Sequence, residues 1–114
     1  MNRDEFVARC EILSGPLAQR AVEAEELRRL PEATLADAHA ADLMRVVVPR
    51  SLGGHGLGLD ALAHGTRAMA RGCPASAWTL SFLMLHGWLL SKLPGEARDA
   101  LFDGGVVPLA PAPL

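Results

Sequence analysis

The chain has 114 residues and is short of most features that would announce a function by themselves. Its two cysteines, Cys10 and Cys73, are too few and too far apart for a disulfide scaffold, so reduced thiols in a cytoplasmic setting are the expectation. Eleven basic against thirteen acidic residues give a formal charge of −2, with Lys92 as the sole lysine and the arginines scattered. That balance excludes a nucleic-acid stripe or a polybasic membrane patch. The four histidines, His39, His55, His64 and His86, form no i,i+4 pair and have no Cys or carboxylate at ligand spacing, which argues against a metal site. The N-terminus, MNRDEFVARCEIL, carries acids and lacks the continuous apolar stretch of a signal peptide. There is no internal repeat and no low-complexity linker.

What is present reads as helix for nearly its whole length. Phe6, Val7, Cys10, Ile12 and Leu13 recur at helical spacing, and Ser14-Gly15-Pro16 is expected to interrupt them, with Pro16 opening a second helix. That helix would place Leu17, Ala21, Ala24, Leu27 and Leu30 on one face, with Glu23, Glu25, Glu26, Arg28 and Arg29 in water. Pro31 begins the next, with Leu35, Ala38, Ala41 and Leu43 as its apolar side; it should fail near Asp42. The β-branched run Met44–Val48 predicts extended chain ending at Pro49.

The twelve residues PRSLGGHGLGLD hold four glycines but neither the buried strand nor the Lys-Ser/Thr of a phosphate-binding loop, so they read as a left-handed turn. Asp60 is the candidate N-cap of a helix ending at Gly72, and Pro74 opens the longest apolar helix. A short helix after Pro94 follows, and the proline-rich DGGVVPLAPAPL cannot be helical, although Val106-Val107 could begin a strand. Met44, Met69 and Met84 read as core filler, and His39, His55 and His64 as solvent-facing or turn residues. Cys73, at a helix start, is expected to have a slightly lowered thiol pKa but mainly to pack.

The stretch SAWTLSFLMLHGW, Ser76–Trp88, sets the central problem: an ionisable ring, His86, among apolar neighbours. Between Arg71 and Lys92 there is no formal charge, a length that could cross a bilayer. Pro74, Ser76, Thr79, Ser81, His86 and Gly87 weigh against a span, and a helix apolar on all sides also suits the centre of a bundle, which is the preferred reading. Trp78 and His86 are eight residues apart, a little over two turns, and so reach the same side. On the residues alone, a lone histidine on an apolar face is more often a satisfied core residue than a functional one.

LPEATLADAHAADLMRVVVPRSLGG followed by RGCPASAWTLSFLMLHGWLL resembles, in order and spacing, the flavin-dependent monooxygenases of acyl-CoA dehydrogenase fold. These are the oxygenase components of two-component systems acting on phenols, steroid-derived catechol precursors or heteroaromatics. The likeness runs from about Leu17 to the end of the chain. It implies an all-α fold, a helical bundle like the acyl-CoA dehydrogenase N-terminal domain over 1–103, with an extended tail over 104–114 where a middle β domain would begin. It also implies reduced flavin, FMN or FAD, as cofactor, not held tightly by this chain alone. The implied partners are the missing domains or a full-length relative, a flavin reductase acting indirectly, and an aromatic small molecule. By the resemblance Trp78 lies beside the flavin ring, Phe82 lines the substrate pocket, and His86 is the active-site histidine that takes the phenol proton or donates to the oxygen being transferred. Asp42 stands where the family usually has a glycine, which predicts a left-handed residue at a cost of about 1 kcal/mol. Three readings remain open at this point: a truncated or split member of that family, inactive alone; a stand-alone helical interaction module that docks or self-associates; and a small protein with one membrane span.

Overall fold

In the computed structural model, which describes residues 1–111, helix α1 runs unbroken over Arg3–Gln19, straight through Pro16. The expected interruption at Ser14–Pro16 does not occur. Two features explain it. A proline clashes with the Cβ of a helical residue before it, and Gly15 has none. The carbonyl that loses its partner belongs to Ile12, on the outer face, where Ile12 is 76% exposed and water reaches it. The gain is one continuous stripe, Phe6, Cys10, Leu13 and Leu17, all buried. A capping box starts the helix: the Asn2 side chain accepts from the Glu5 N–H at 2.9 Å, and Glu5 returns the bond to the Asn2 N–H at 2.9 Å.

Helix α2, Ala21–Leu27, ends at Arg28 in the left-handed region, φ +55, earlier than the apolar pattern suggests; Leu27 is left partly exposed while Leu30 is buried. Arg20, between α1 and α2, reaches across to Asp37 at 2.6 Å and Thr34 at 3.4 Å on helix α3, Glu32–Ala40. Asp42 then sits at φ +60, the left-handed geometry expected of it.

Met44–Val48 is not extended. The Val46 N–H donates to Leu43 O at 3.2 Å and the Val48 N–H to Arg45 O at 3.3 Å, a pair of successive turns. The β-branched residues here report burial, with Val46 and Val48 at 0% exposure, rather than strand. Residues 55–57 fold back over them: the His55, Gly56 and Leu57 N–H groups donate to the carbonyls of Arg45, Val48 and Val46. The glycine-rich stretch is the left-handed turn expected, with Gly53 at φ +84 and Gly56 at φ +64.

Helix α4, Leu59–Ala70, has its N-cap two residues before the expected one. Gly58 is its N-cap, which places Asp60 within the first turn, where its carboxylate meets the helix dipole and lies 3.7 Å from Arg3. Helix α5, Pro74–Leu90, and the short α6, Gly95–Leu101, complete six α-helices among the described residues. A 3-10 turn at Asp103–Gly105 leads into the tail, extended and without a strand, over 106–111. No helix among the described residues is long and apolar enough to cross a membrane.

The centre of the domain is α4, not α5. It packs on α1 along one side and α5 along another. Its contact with α1 is close enough to forbid a side chain: a Cβ on Gly65 would lie 2.3 Å from the Phe6 ring and 2.9 Å from Cys10 Sγ. Just past the helix, a Cβ on Gly72 would lie 1.9 Å from the Ser14 carbonyl. α5 is therefore an outer helix. It fully buries Ser76, Ala77, Leu80, Met84 and Gly87, packs Leu83, Leu85, Trp88 and Leu90 only partly, and leaves Trp78 and Leu89 exposed.

Two substitutions test this packing by urea unfolding. Pro16→Ala restores the Ile12 carbonyl's partner and should stabilise by about 1–3 kcal/mol. Gly65→Ala overpacks the α1–α4 contact and should destabilise by about 1–3 kcal/mol. An unchanged midpoint in Gly65→Ala would refute the close contact.

Candidate functional site

The exposed side of α5 carries the candidate site residues as a row spaced i, i+4, i+8, so that each side chain lies over the next. Trp78 is 65% exposed; its ring and that of Phe82 are 4.7 Å apart between centroids and tilted by 43°. Phe82 and His86 follow at 5.5 Å, edge to face at 88°. Trp78 and His86 thus share a side, with Phe82 between them. Trp88 is off this row, with the Lys92 ammonium 5.0 Å from its ring centroid. Beside Phe82, α4 and α5 enclose an apolar groove of about 510 Å³ lined by Leu62, Thr66, Ser81 and Leu85 among others, a volume in the range of small-molecule sites.

His86 is half-buried rather than enclosed in a bundle centre. Its Nδ1 lies 2.5 Å from the Ala110 carbonyl. A carbonyl only accepts, so this contact requires Nδ1 to be the donor. The tail reaches this position because Val107 packs with Val48 and Phe102 in a second small core, against Gly87 of α5.

Sequence reasoning missed a polar cluster at the other end of the tail. Asp42 Oδ1 accepts from Arg45 Nε at 2.6 Å, and Oδ2 from Arg45 Nη2 at 3.1 Å and His55 Nε2 at 2.7 Å. Arg45 Nη1 also donates to Gly53 O at 2.9 Å. His55 is thus a tethered turn residue. The i,i+3 spacing of Asp42 and Arg45 was a visible signal; the meeting with His55 depends on the fold. A cavity of about 260 Å³ lies between this cluster and Gly105–Val107. The hydrogen bond from Arg45, joined by one from His55 and by both positive charges, outweighs desolvation and holds the Asp42 carboxyl below its ordinary value.

The two thiols differ. Burial, with a smaller push from Glu11, raises Cys10 to about 12. Burial also pushes Cys73 up, but hydrogen bonds from the Ser76 side chain and the Ser76 and Ala75 backbone prevail, and its pKa is lowered as its place at a helix start implies. Among the described residues no group of three His, Cys, Asp or Glu could hold a metal.

Comparison with known proteins identifies the family of this all-α domain. The chain belongs to the acyl-CoA dehydrogenase N-terminal domain family, whose sequence profile matches residues 8–97. It is 28% identical over 102 residues to a pigment production hydroxylase of a Rhodococcus species, covering 90% of this chain and 26% of that protein. It is 30% identical over 79 residues to the oxygenase component of an FADH2-dependent resorcinol hydroxylase of a Rhizobium species, covering 69% of this chain and 19% of the relative. Over 86 residues it is 27% identical to the oxygenase component of p-hydroxyphenylacetate 3-hydroxylase of Acinetobacter baumannii, covering 75% of this chain and 20% of the relative. The chain thus spans about a fifth to a quarter of the length of these relatives. No solved structure shows a significant match.

The Asp42 cluster makes a prediction about acid stability. A carboxyl whose pKa is lowered by folding contributes stability above its unfolded value, and that contribution is lost as pH falls through the folded one. The unfolding midpoint should therefore drop from about pH 4 downward. Asp42→Asn should be less stable at neutral pH and show a flatter acid limb in thermal melts followed by circular dichroism. Parallel pH profiles for the two proteins would contradict this.

Proposed function

We propose that this domain forms one wall of a reduced-flavin and aromatic-substrate pocket in a flavin-dependent monooxygenase, and that it does not hydroxylate alone. The observation that carries the reading is the Trp78–Phe82–His86 row on the open face of α5. An exposed indole next to a half-buried phenyl ring offers aromatic area against which a planar heteroaromatic such as a flavin ring, FMN or FAD, can lie. In this reading Trp78 lies against the cofactor ring and Phe82 against the substrate, and His86 handles the substrate proton. Reduced flavin, when bound, would supply the electrons that activate molecular oxygen for transfer. A flavin reductase would deliver the reduced flavin, and the remainder of an oxygenase, as further domains or as a full-length relative, would close the pocket. The cytoplasm, where both thiols stay reduced, is the matching compartment.

The relatives' names specify resorcinol and p-hydroxyphenylacetate, both phenols, and a phenol is the substrate class proposed here. Electrophilic hydroxylation proceeds more readily from a phenolate. With Nδ1 already donating to Ala110, Nε2 is the atom of His86 free to accept the phenol proton. The O–H bond breaks, the Nε2–H bond forms, and the resulting imidazolium keeps its Nδ1–H on the carbonyl. This favours proton acceptance over donation to oxygen as the role of the neutral ring.

A second reading, a helical interaction module, is supported by the bare side chains Trp78, Leu89, Leu93, Val106 and Leu109. Concentration-dependent dimerisation in sedimentation, abolished by Trp78→Ser, would favour it.

The main reading is tested by substituting this domain for the matching one of the resorcinol hydroxylase oxygenase component. His86→Ala should then lower the single-turnover hydroxylation rate by about 100-fold or more, and Trp78→Ala should weaken retention of reduced flavin. Hydroxylation at the parent rate in His86→Ala would refute the assignment. Turnover of a phenol by the 114-residue chain itself, supplied with reduced flavin, would refute the one-wall reading.

A further inference from the structure

Val107 and Ala110 of the tail meet α5 at Gly87 and His86, and each is followed by a proline, Pro108 and Pro111. A residue before proline is restricted to extended backbone, so the two contact points are held in shape before they meet the helix. The helix receives them at Gly87, where a Cβ would lie 3.1 Å from Val107 Cγ1 and 3.2 Å from Val48 Cγ2. A larger residue would push the tail outward. Val107, 9% exposed, is fixed from its other side by Val48 and Phe102. Three residues later the Ala110 carbonyl meets His86 Nδ1. That carbonyl belongs to a peptide bond to proline and so has no N–H of its own to offer the ring. The contact can form with one tautomer of neutral His86 and not with the other.

We propose that Val107 and Ala110, stiffened by Pro108 and Pro111 and seated at Gly87, are positioning residues that hold His86 as the Nδ1–H tautomer and leave Nε2 as its proton-accepting atom. The carbonyl would also support the charge that appears on the ring when Nε2 takes a proton, and it keeps the ring from turning about its side-chain bonds. What Nε2 is used for rests on the monooxygenase reading above. The tautomer itself does not.

The test is two-bond 1H–15N correlation on the full chain with 15N-labelled histidine, at about pH 8.5, where an ordinary imidazole is neutral. His86 is assigned by comparison with His86→Gln. In the unsubstituted chain it should show a pyrrole-like Nδ1 and a pyridine-like Nε2. In the double variant Pro108→Ala/Pro111→Ala, which keeps the tail's apolar contacts, and in Val107→Ser, the two nitrogens should move toward each other as the Nε2–H form becomes populated. Gly87→Ala should do the same by displacing Val107 by a few tenths of an ångström. His55, held by Asp42 far along the sequence, provides an internal control for the fold, since its pattern should not change.

An Nε2–H form of His86 in the unsubstituted chain would overturn the proposal, and that result needs no variant to fold. So would an unchanged Nδ1–H pattern in both tail variants. Because no flavin or substrate is present, the outcome is separate from the hydroxylation test. A tail-dependent tautomer together with a hydroxylation rate indifferent to His86→Ala would leave this inference standing and remove the monooxygenase reading.

Discussion

At Gly65 the backbone of α4 lies directly against side chains of α1, and the arrangement of everything else follows from that contact. Gly65 admits the Phe6 ring and the Cys10 sulfur where any side chain would collide with them, and Gly72 admits the Ser14 carbonyl. With α1 this close, α4 becomes the central helix and α5 is left to cover its other side. α5 meets the core through a narrow strip of small and flexible residues, Ser76, Ala77, Leu80, Met84 and Gly87. Its bulkier side chains, Trp78 and Phe82 among them, are turned outward. A row of aromatic rings facing out of a small domain is costly in water unless something is meant to lie on it. The tight interface on one side of α4 and the open aromatic row on the far side of α5 are two consequences of one packing choice.

The loops obey a second constraint, the demand of a left-handed residue that is not glycine. Asp42 adopts φ +60 and offsets the conformational cost by making its carboxylate a hub for Arg45 and His55. Arg45 in turn reaches the Gly53 carbonyl, so the end of α3, the buried valines and the glycine turn are tied at one point. The same valines form the floor for the tail through Val48 and Val107. A chain of contacts therefore runs from the polar hub through a second small core to the carbonyl against His86.

In the proposed function, this arrangement would present His86 with one ring nitrogen held by the tail, beside an exposed aromatic row. In the function proposed above, His86 would serve as an oriented base and Trp78 and Phe82 as a stacking face, while the oxidising chemistry would belong to the cofactor of a complete oxygenase. Membership of the acyl-CoA dehydrogenase N-terminal family and similarity to several hydroxylase oxygenase components are consistent with that division of labour.

Much of this was legible from residues alone because it is encoded within a turn or two of chain. Prolines and glycines marked most helix ends, the glycine-rich stretch read correctly as a turn, and Asp42 read correctly as left-handed. The order of two motifs pointed to the family, and the spacing of Trp78 and His86 to a shared side. Tertiary structure decided what depends on partners distant in sequence. α1 passes through Pro16 because burying Leu17 on the same stripe as Phe6 outweighs one lost hydrogen bond on a wet face. Met44–Val48 turns rather than extends because its β-branched side chains are wanted in the core while residues 55–57 bond its carbonyls. A helix apolar on every side contains no local instruction about which side to bury, so only the fit of α4 against Ala77, Leu80 and Met84 could turn the Trp78–Phe82–His86 row outward. The partner of His86 Nδ1 was equally beyond the sequence, since that carbonyl comes from 24 residues further along the chain.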